Sequence, residues 1–319
     1  MRIHRRILYA GVFLVAIGGV LVASDLRAVD TATLTDALRL WPLAVIAIGL
    51  GLVLRRTQVG LPGGMVAAAL PGLVLGSAFA IAPRFVGDCG ARGEPANVAT
   101  TRGVFDGPAT VSVRSGCGSM HLSTAPGNAW QLNARNTSGR TPRIDSSARS
   151  LAVAGTSHDG DFFDAGRDAW DLTLPTSELD DLSLVVFAGH AQVDLPGARI
   201  DRLALTVNAA SAAVDASATS IAEVSAVVNV GSLSFELPAA SDLTGSLRVG
   251  AGELRICAPP GLGLRVTSIG TGERISVDSV AQRTSEWQSP DYASATHRAD
   301  LRVSATFGAV DINPAGGCK

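Results

Sequence analysis

The chain has 319 residues, 47% apolar, 5% aromatic and 17% charged, with a formal charge of −2 and a mean hydropathy of +0.29. Residues 1–56 carry seven Arg against three Asp, so they are basic and the remainder is acidic; the only Lys is Lys319. No basic patch is left in the C-terminal part, which excludes nucleic acid as a partner, and the length suits a membrane segment plus one domain with a sizeable core.

In chain order, the first expected elements are three uncharged apolar stretches: ILYAGVFLVAIGGVLVA, LWPLAVIAIGLGLVL and LPGGMVAAALPGLVLGSAFAIA. Each is long enough, or nearly so, for a spanning helix, and Trp41 stands where an interfacial aromatic belongs. A cleaved signal peptide is the competing reading of the first stretch. Spans are expected at about 7–23, 38–55 and 61–83. Arg2, Arg5 and Arg6 precede the first span, and Arg55 and Arg56 separate the second from the third. Basic flanks on one side place the N-terminus in the cytoplasm, and three crossings put the rest outside. The expected localisation is therefore the cell membrane, multi-pass, with the lipid bilayer as a partner.

Residues 85–108 read as a linker and 109–319 as an all-β domain. Four cysteines, Cys89, Cys117, Cys257 and Cys318, all follow the last expected span. An even count suits an oxidising compartment and allows three pairings, among them Cys89–Cys117 with Cys257–Cys318. Four unrelated thiols is the alternative.

Short alternating runs such as ATVSVRS, LSLVVFAG and LRVSATFG, broken by Gly or Pro, predict strands. A 21-residue period runs through them, most regularly over about 165–265. Pro175, Pro196, Pro238 and Pro259 lie on one grid; Val186, Val207, Val228 and Val249 lie on a second. Gly189, Ala210, Gly231 and Gly252 lie on a third, and Val193, Val214, Phe235 and Ile256 on a fourth. Such a period marks stacked units that bury apolar faces against their neighbours. Parallel stacking explains identical positions in successive units; a chain of hairpins is the competing geometry. The predicted fold class is thus a three-helix membrane segment followed by a single-stranded right-handed β-solenoid with 21-residue turns. Trp287 and Tyr292, in an off-grid end piece, are expected to cover an open end.

Little chemistry is legible. His4, His121, His158, His190 and His297 are scattered with no metal-ligand spacing. His190 falls at a unit corner. SHDGDFFDAGRDAWD gathers Asp159, Asp161, Asp164, Asp168 and Asp171, but the spacing is not that of a calcium loop and it reads as a solvated segment. No nucleophile elbow, phosphate loop or dinucleotide fingerprint occurs. No catalytic, cofactor-binding or metal site is assigned and no cofactor is implied.

RRILYAGVFLVAIGGVLVA and LRLWPLAVIAIGLGLVLRR resemble the LiaF-like, or cell-wall-active antibiotics response, membrane region; Trp41–Pro42 is the most specific piece. Residues 182–259 resemble an adhesin-like bacterial β-solenoid. The first resemblance implies a non-catalytic envelope-stress regulator that acts on a membrane sensor protein. The long regular faces of a stacked β domain suit a binding scaffold for a partner protein or a cell-wall polymer. A purely structural ectodomain and a cell-wall-directed enzyme are the alternatives. Three spans are counted here, against four in the better-known members.

Overall fold

A computed structural model describes residues 11–16, 18–19, 69, 72–73, 93–155, 166–268, 275–277, 280–282 and 286–314. The chain divides into two units, Met1–Phe85 and Val86–Lys319. In the first, residues 11–16 are helical, and Gly72 packs so closely on Phe13 that an added Cβ would lie 2.7 Å from its carbonyl oxygen.

This unit corrects the membrane reading. A span needs about 20 consecutive apolar helical residues. No helix among the described residues is long and apolar enough to cross a membrane; the other residues of the three expected spans lie outside the described set. The three-helix segment, the multi-pass localisation and the bilayer as partner therefore have no support.

The second unit is all-β. Its strands are β1 (Ala96–Val104), β2 (Ala109–Ala125), β3 (Ala129–Asn136), β4 (Arg143–Ser147), β5 (Ser150–Ala154), β6 (Asp168–Pro175), β7 (Glu178–Asp194) and β8 (Arg199–Asp215). There follow β9 (Ser220–Glu236), β10 (Leu243–Cys257), β11 (Leu262–Ser268), β12 (Ile275–Val277), β13 (Val280–Gln282), β14 (Glu286–Gln288) and β15 (His297–Ile312). The stretch expected as linker thus holds β1.

Strands β2, β7, β8, β9, β10 and β15 form one parallel ladder. From β7 to β10 the register follows the 21-residue grid: Val186 lies opposite Val207, Val207 opposite Val228, and Val228 opposite Val249. A single-stranded solenoid of 21-residue turns is nevertheless not the fold. At the ladder's ends, Cys117 of β2 faces Ala188, and Leu243 of β10 faces Ala299 of β15, steps far longer than the grid. Antiparallel pairs flank the ladder: β1 with β3, β3 with β6, β4 with β5, β11 with β14, and β12 with β13. The sheet is mixed because only the middle of the sequence is periodic. Its ends are the antiparallel pairs β1 with β3 and β11 with β14, and Trp287 of β14 packs on the core from that edge strand.

The burial pattern shows why each long strand bends. In β7, Leu182, Leu184 and Val186 are buried, then Ala191, Val193 and Leu195. The buried positions change from even to odd between Val186 and Ala191. A straight strand keeps one parity on one face, so the chain must turn between the two halves. The turn sits at Gly189, with φ 108°. Residues from both halves enter one core cluster. Burying Val, Leu and Ile side chains of this size contributes about 1.5–3 kcal/mol each relative to exposure.

Cys117 and Cys257 are both disulfide-bonded. They lie on β2 and β10, four strand spacings apart, or about 19 Å. One bridge spans Cα atoms only to about 7 Å, so the two are not bonded to each other. Ile312 lies opposite Ile256, next to Cys257. From there six further residues have one strand spacing to cross to Cys257 on β10 but five, about 24 Å, to Cys117 on β2. Non-reducing peptide mapping is expected to recover Cys89–Cys117 and Cys257–Cys318; a Cys117–Cys318 peptide would contradict the register.

Candidate functional site

Outward residues of successive strands fall into rows, because parallel in-register pairing places equivalent positions side by side. One row runs Asp181, Arg202, Glu223, Thr244, Asp300, Arg265. The next runs Ser183, Ala204, Ser225, Ser246, Arg302, Thr267. Over β9, β10, β15 and β11 these rows line a groove of about 450 Å³.

The groove has a cause in the core row beneath it. Val224, Gly245 and Leu301 face one another in register. A Cβ at Gly245 would overlap the Val224 side chain and lie 3.0 Å from Leu301 Cδ2. Without that Cβ, β10 sits closer to its neighbours' core side chains than another residue allows. Thr244 and Ser246 then form a floor of short side chains between longer walls.

One wall holds Glu223, behind which Arg202 donates from Nη1 to Asp181 at 2.8 Å and from Nε to Glu223 at 3.3 Å. These bonds hold the guanidinium above its ordinary pKa. The other wall holds Arg265 and Asp300, and Tyr292 stands behind it. Its hydroxyl donates to Asp300 Oδ1 at 2.8 Å, and the Arg265 guanidinium stacks 4.3 Å from the ring centroid. Burial first, then the bond to Asp300, raises the tyrosine pKa. Arg265 Nε is buried with no hydrogen bond, with Asp300 and Glu286 at 3.6 and 3.7 Å. Arg302 has no ion-pair partner among the described residues.

A second polar cluster lies inside. Asp168 is 7% exposed and Asn136 is fully buried. Asn136 Nδ2 donates to Asp168 Oδ1 at 2.8 Å; its own Oδ1 accepts from the Ser138 and Arg140 amides at 2.7 and 3.2 Å. Gly155 and Gly116 leave room for the other carboxylate oxygen, 3.3 Å from where a Gly155 Cβ would be. Burial pushes the Asp168 carboxyl up to about 6, against the pull of the Asn136 and Gly116 hydrogen bonds. The Trp170 indole N–H also favours the ionised form but has no bond within hydrogen-bonding geometry, so it acts as a weak electrostatic contact.

The acidic stretch is thus not one solvated segment. Asp168 is a buried structural group. Asp171 is exposed and pairs with Arg135 at 3.1 Å. Asp159, Asp161 and Asp164 lie outside the described residues, as do His4 and His158. His121 lies between Asp194, at 3.1 Å, and Asp171, at 3.9 Å. His190 pairs with Ser211 one strand away at 3.0 Å, and His297 lies 3.8 Å from Asp242. The structure gathers no set of three metal-ligating side chains among the described residues.

No family model matches the chain, and no curated protein does. Solved structures give a distant likeness. One is a candidate cell adhesion protein from Clostridium sporogenes ATCC 15579, at 13% identity and TM-score 0.47, over 69% of this chain and 100% of that one. A candidate adhesin from Bacteroides fragilis NCTC 9343 shows 9% identity and TM-score 0.29, over 67% and 96%. Another, from Parabacteroides merdae ATCC 43184, shows 11% and 0.24, over 70% and 97%.

These comparisons correct the family reading. Neither the LiaF-like nor the β-solenoid resemblance is matched by a family model; the chain has a β-rich domain distantly resembling bacterial adhesin folds. The envelope-stress regulator inferred from the first resemblance falls with it. No residue role is transferred at this similarity.

Sequence reasoning missed the groove. Asp181, Arg202 and Glu223 carry a readable signal, alternating charge at 21-residue spacing. Arg265 keeps the same spacing after Thr244; Asp300 and Arg302 carry no such signal, because they reach the groove from β15, which inserts off the grid between β10 and β11.

Proposed function

We propose that the chain is a non-catalytic protein whose β domain has a structural role. One observation carries this reading: the outward polar groups of adjacent strands are engaged with each other across the ladder. Arg202 bridges Asp181 and Glu223, Asn229 donates to Asn208 at 2.7 Å, and His190 pairs with Ser211. Groups used in this way tie one strand to the next, and among the described residues they leave no nucleophile, base and orienting partner converging on one point. The absence of catalytic sequence motifs agrees with it.

The test is a substrate screen of the full chain with ester, glycoside, peptide and phosphoester libraries, repeated with His121→Ala, His190→Ala and Glu223→Ala. No turnover above background is expected from any form, and each variant should keep the wild-type fold. Turnover by the parent that one of these substitutions abolishes would overturn the proposal.

A further inference from the structure

The groove across β9, β10, β15 and β11 goes beyond a structural role, because its charges are unequally satisfied. Glu223 is held by Arg202 at 3.3 Å. Asp300 accepts from Tyr292 at 2.8 Å and has Arg265 at 3.6 Å. Arg302 alone among the four charged lining residues has no counter-ion among the described residues. In register, Ser246 lies on one side of it and Thr267 on the other. Ser225 continues the hydroxyl row beyond Ser246.

A guanidinium flanked by two hydroxyls supplies several donors on one face, the pattern that recognises a carboxylate or phosphate. A bare anion fits the rest of the groove poorly. Glu223 and Asp300 line it too, and their remaining lone pairs accept hydrogen bonds while repelling a second negative charge. The complementary ligand therefore has one oxyanion and a set of hydroxyl donors. The volume of about 450 Å³ is within the range of small-molecule sites.

We infer that this groove binds a polyhydroxylated oxyanion, with the acid group on Arg302 between Ser246 and Thr267. Its hydroxyls donate to Glu223 and Asp300 along the row of Thr244. The shared chemistry has two sources, a sugar acid and a sugar phosphate.

Calorimetric titration of the full chain separates them, using glucuronate, glucose 6-phosphate and inorganic phosphate as probes. Saturable binding of at least one sugar probe is expected; glucuronate alone would assign a carboxylate, glucose 6-phosphate alone a phosphate. Arg302→Gln and Ser246→Val should each weaken binding roughly tenfold or more. Arg248→Gln, an equal charge change on β10 outside the groove lining, should leave it unchanged. The inference fails if neither sugar binds, if Arg248→Gln weakens binding as much as Arg302→Gln, or if inorganic phosphate binds as tightly as glucose 6-phosphate.

Discussion

Gly231→Ala is expected to lower the stability of the β domain by on the order of 3 kcal/mol or more, combining a disallowed backbone angle with overlap against immovable backbone. For a domain of this size that is a fall of roughly 10 °C in thermal midpoint. Gly231 has φ 127°, and an added Cβ would overlap the carbonyl oxygen of Ala210, its partner on β8. The overlap is with main chain in the middle of a ladder, so no rotamer change relieves it. Ala210 occupies the equivalent corner without a positive φ and is buried. Ala210→Gly should therefore cost only about 1 kcal/mol, from the lost methyl and the added chain entropy. Paired chemical denaturation of the two variants checks this. A Gly231→Ala loss no larger than that of Ala210→Gly would remove the proposed reason for glycine at the corner.

The second large effect is on pH. With its carboxyl raised from 3.8 to about 6, Asp168 binds its proton more tightly in the folded than in the unfolded state. The sign follows from linkage: between about pH 4 and pH 6 the native state holds more protons, so stability falls as pH rises through that window. The cost of burying the ionised carboxylate is fully present above pH 6 and absent below pH 4. It amounts to roughly 3 kcal/mol at one pKa unit per 1.36 kcal/mol. Other carboxylates titrate in the same range, so the quantity to measure is the difference between wild type and Asp168→Asn. That difference should slope across pH 4–6 and level off above. A flat difference would show that Asp168 ionises freely in the folded protein.

Both sites explain what the sequence could disclose. Gly231 was visible because Gly189, Gly231 and Gly252 recur at one interval, and periodicity is a property of the linear chain. The same interval set the register of β7 to β10. The ends were not legible in that way. β2 and β15 join the ladder through long sequence separations, and the antiparallel pairs at each end follow no repeat. Asp168 was read as solvated because acidic stretches usually are. Its burial depends on Asn136, Gly116 and Gly155, which β3, β2 and the end of β5 bring to it from elsewhere. The groove needed one off-grid strand, β15, inserted between β10 and β11, which keep the interval. The apolar N-terminal stretches read as spans on hydropathy, and no helix among the described residues is long and apolar enough to cross a membrane.

The central claim is that the middle of the domain is a ladder whose register is set by the 21-residue interval. Two deletions in the full chain test it most directly. Removing residues 199–219, 21 in all, takes out β8 and joins Ala198 to Ser220, the residue opposite Arg199. Val186 then meets Val228 with every inward side chain still inward. Removing residues 200–219, 20 in all, displaces the following strands by one residue. A one-residue slip sends a strand's core side chains to the solvent face. Circular dichroism with thermal melting should show a cooperative β fold after the first deletion and its loss after the second. Equal tolerance of both, or equal collapse, would contradict the register.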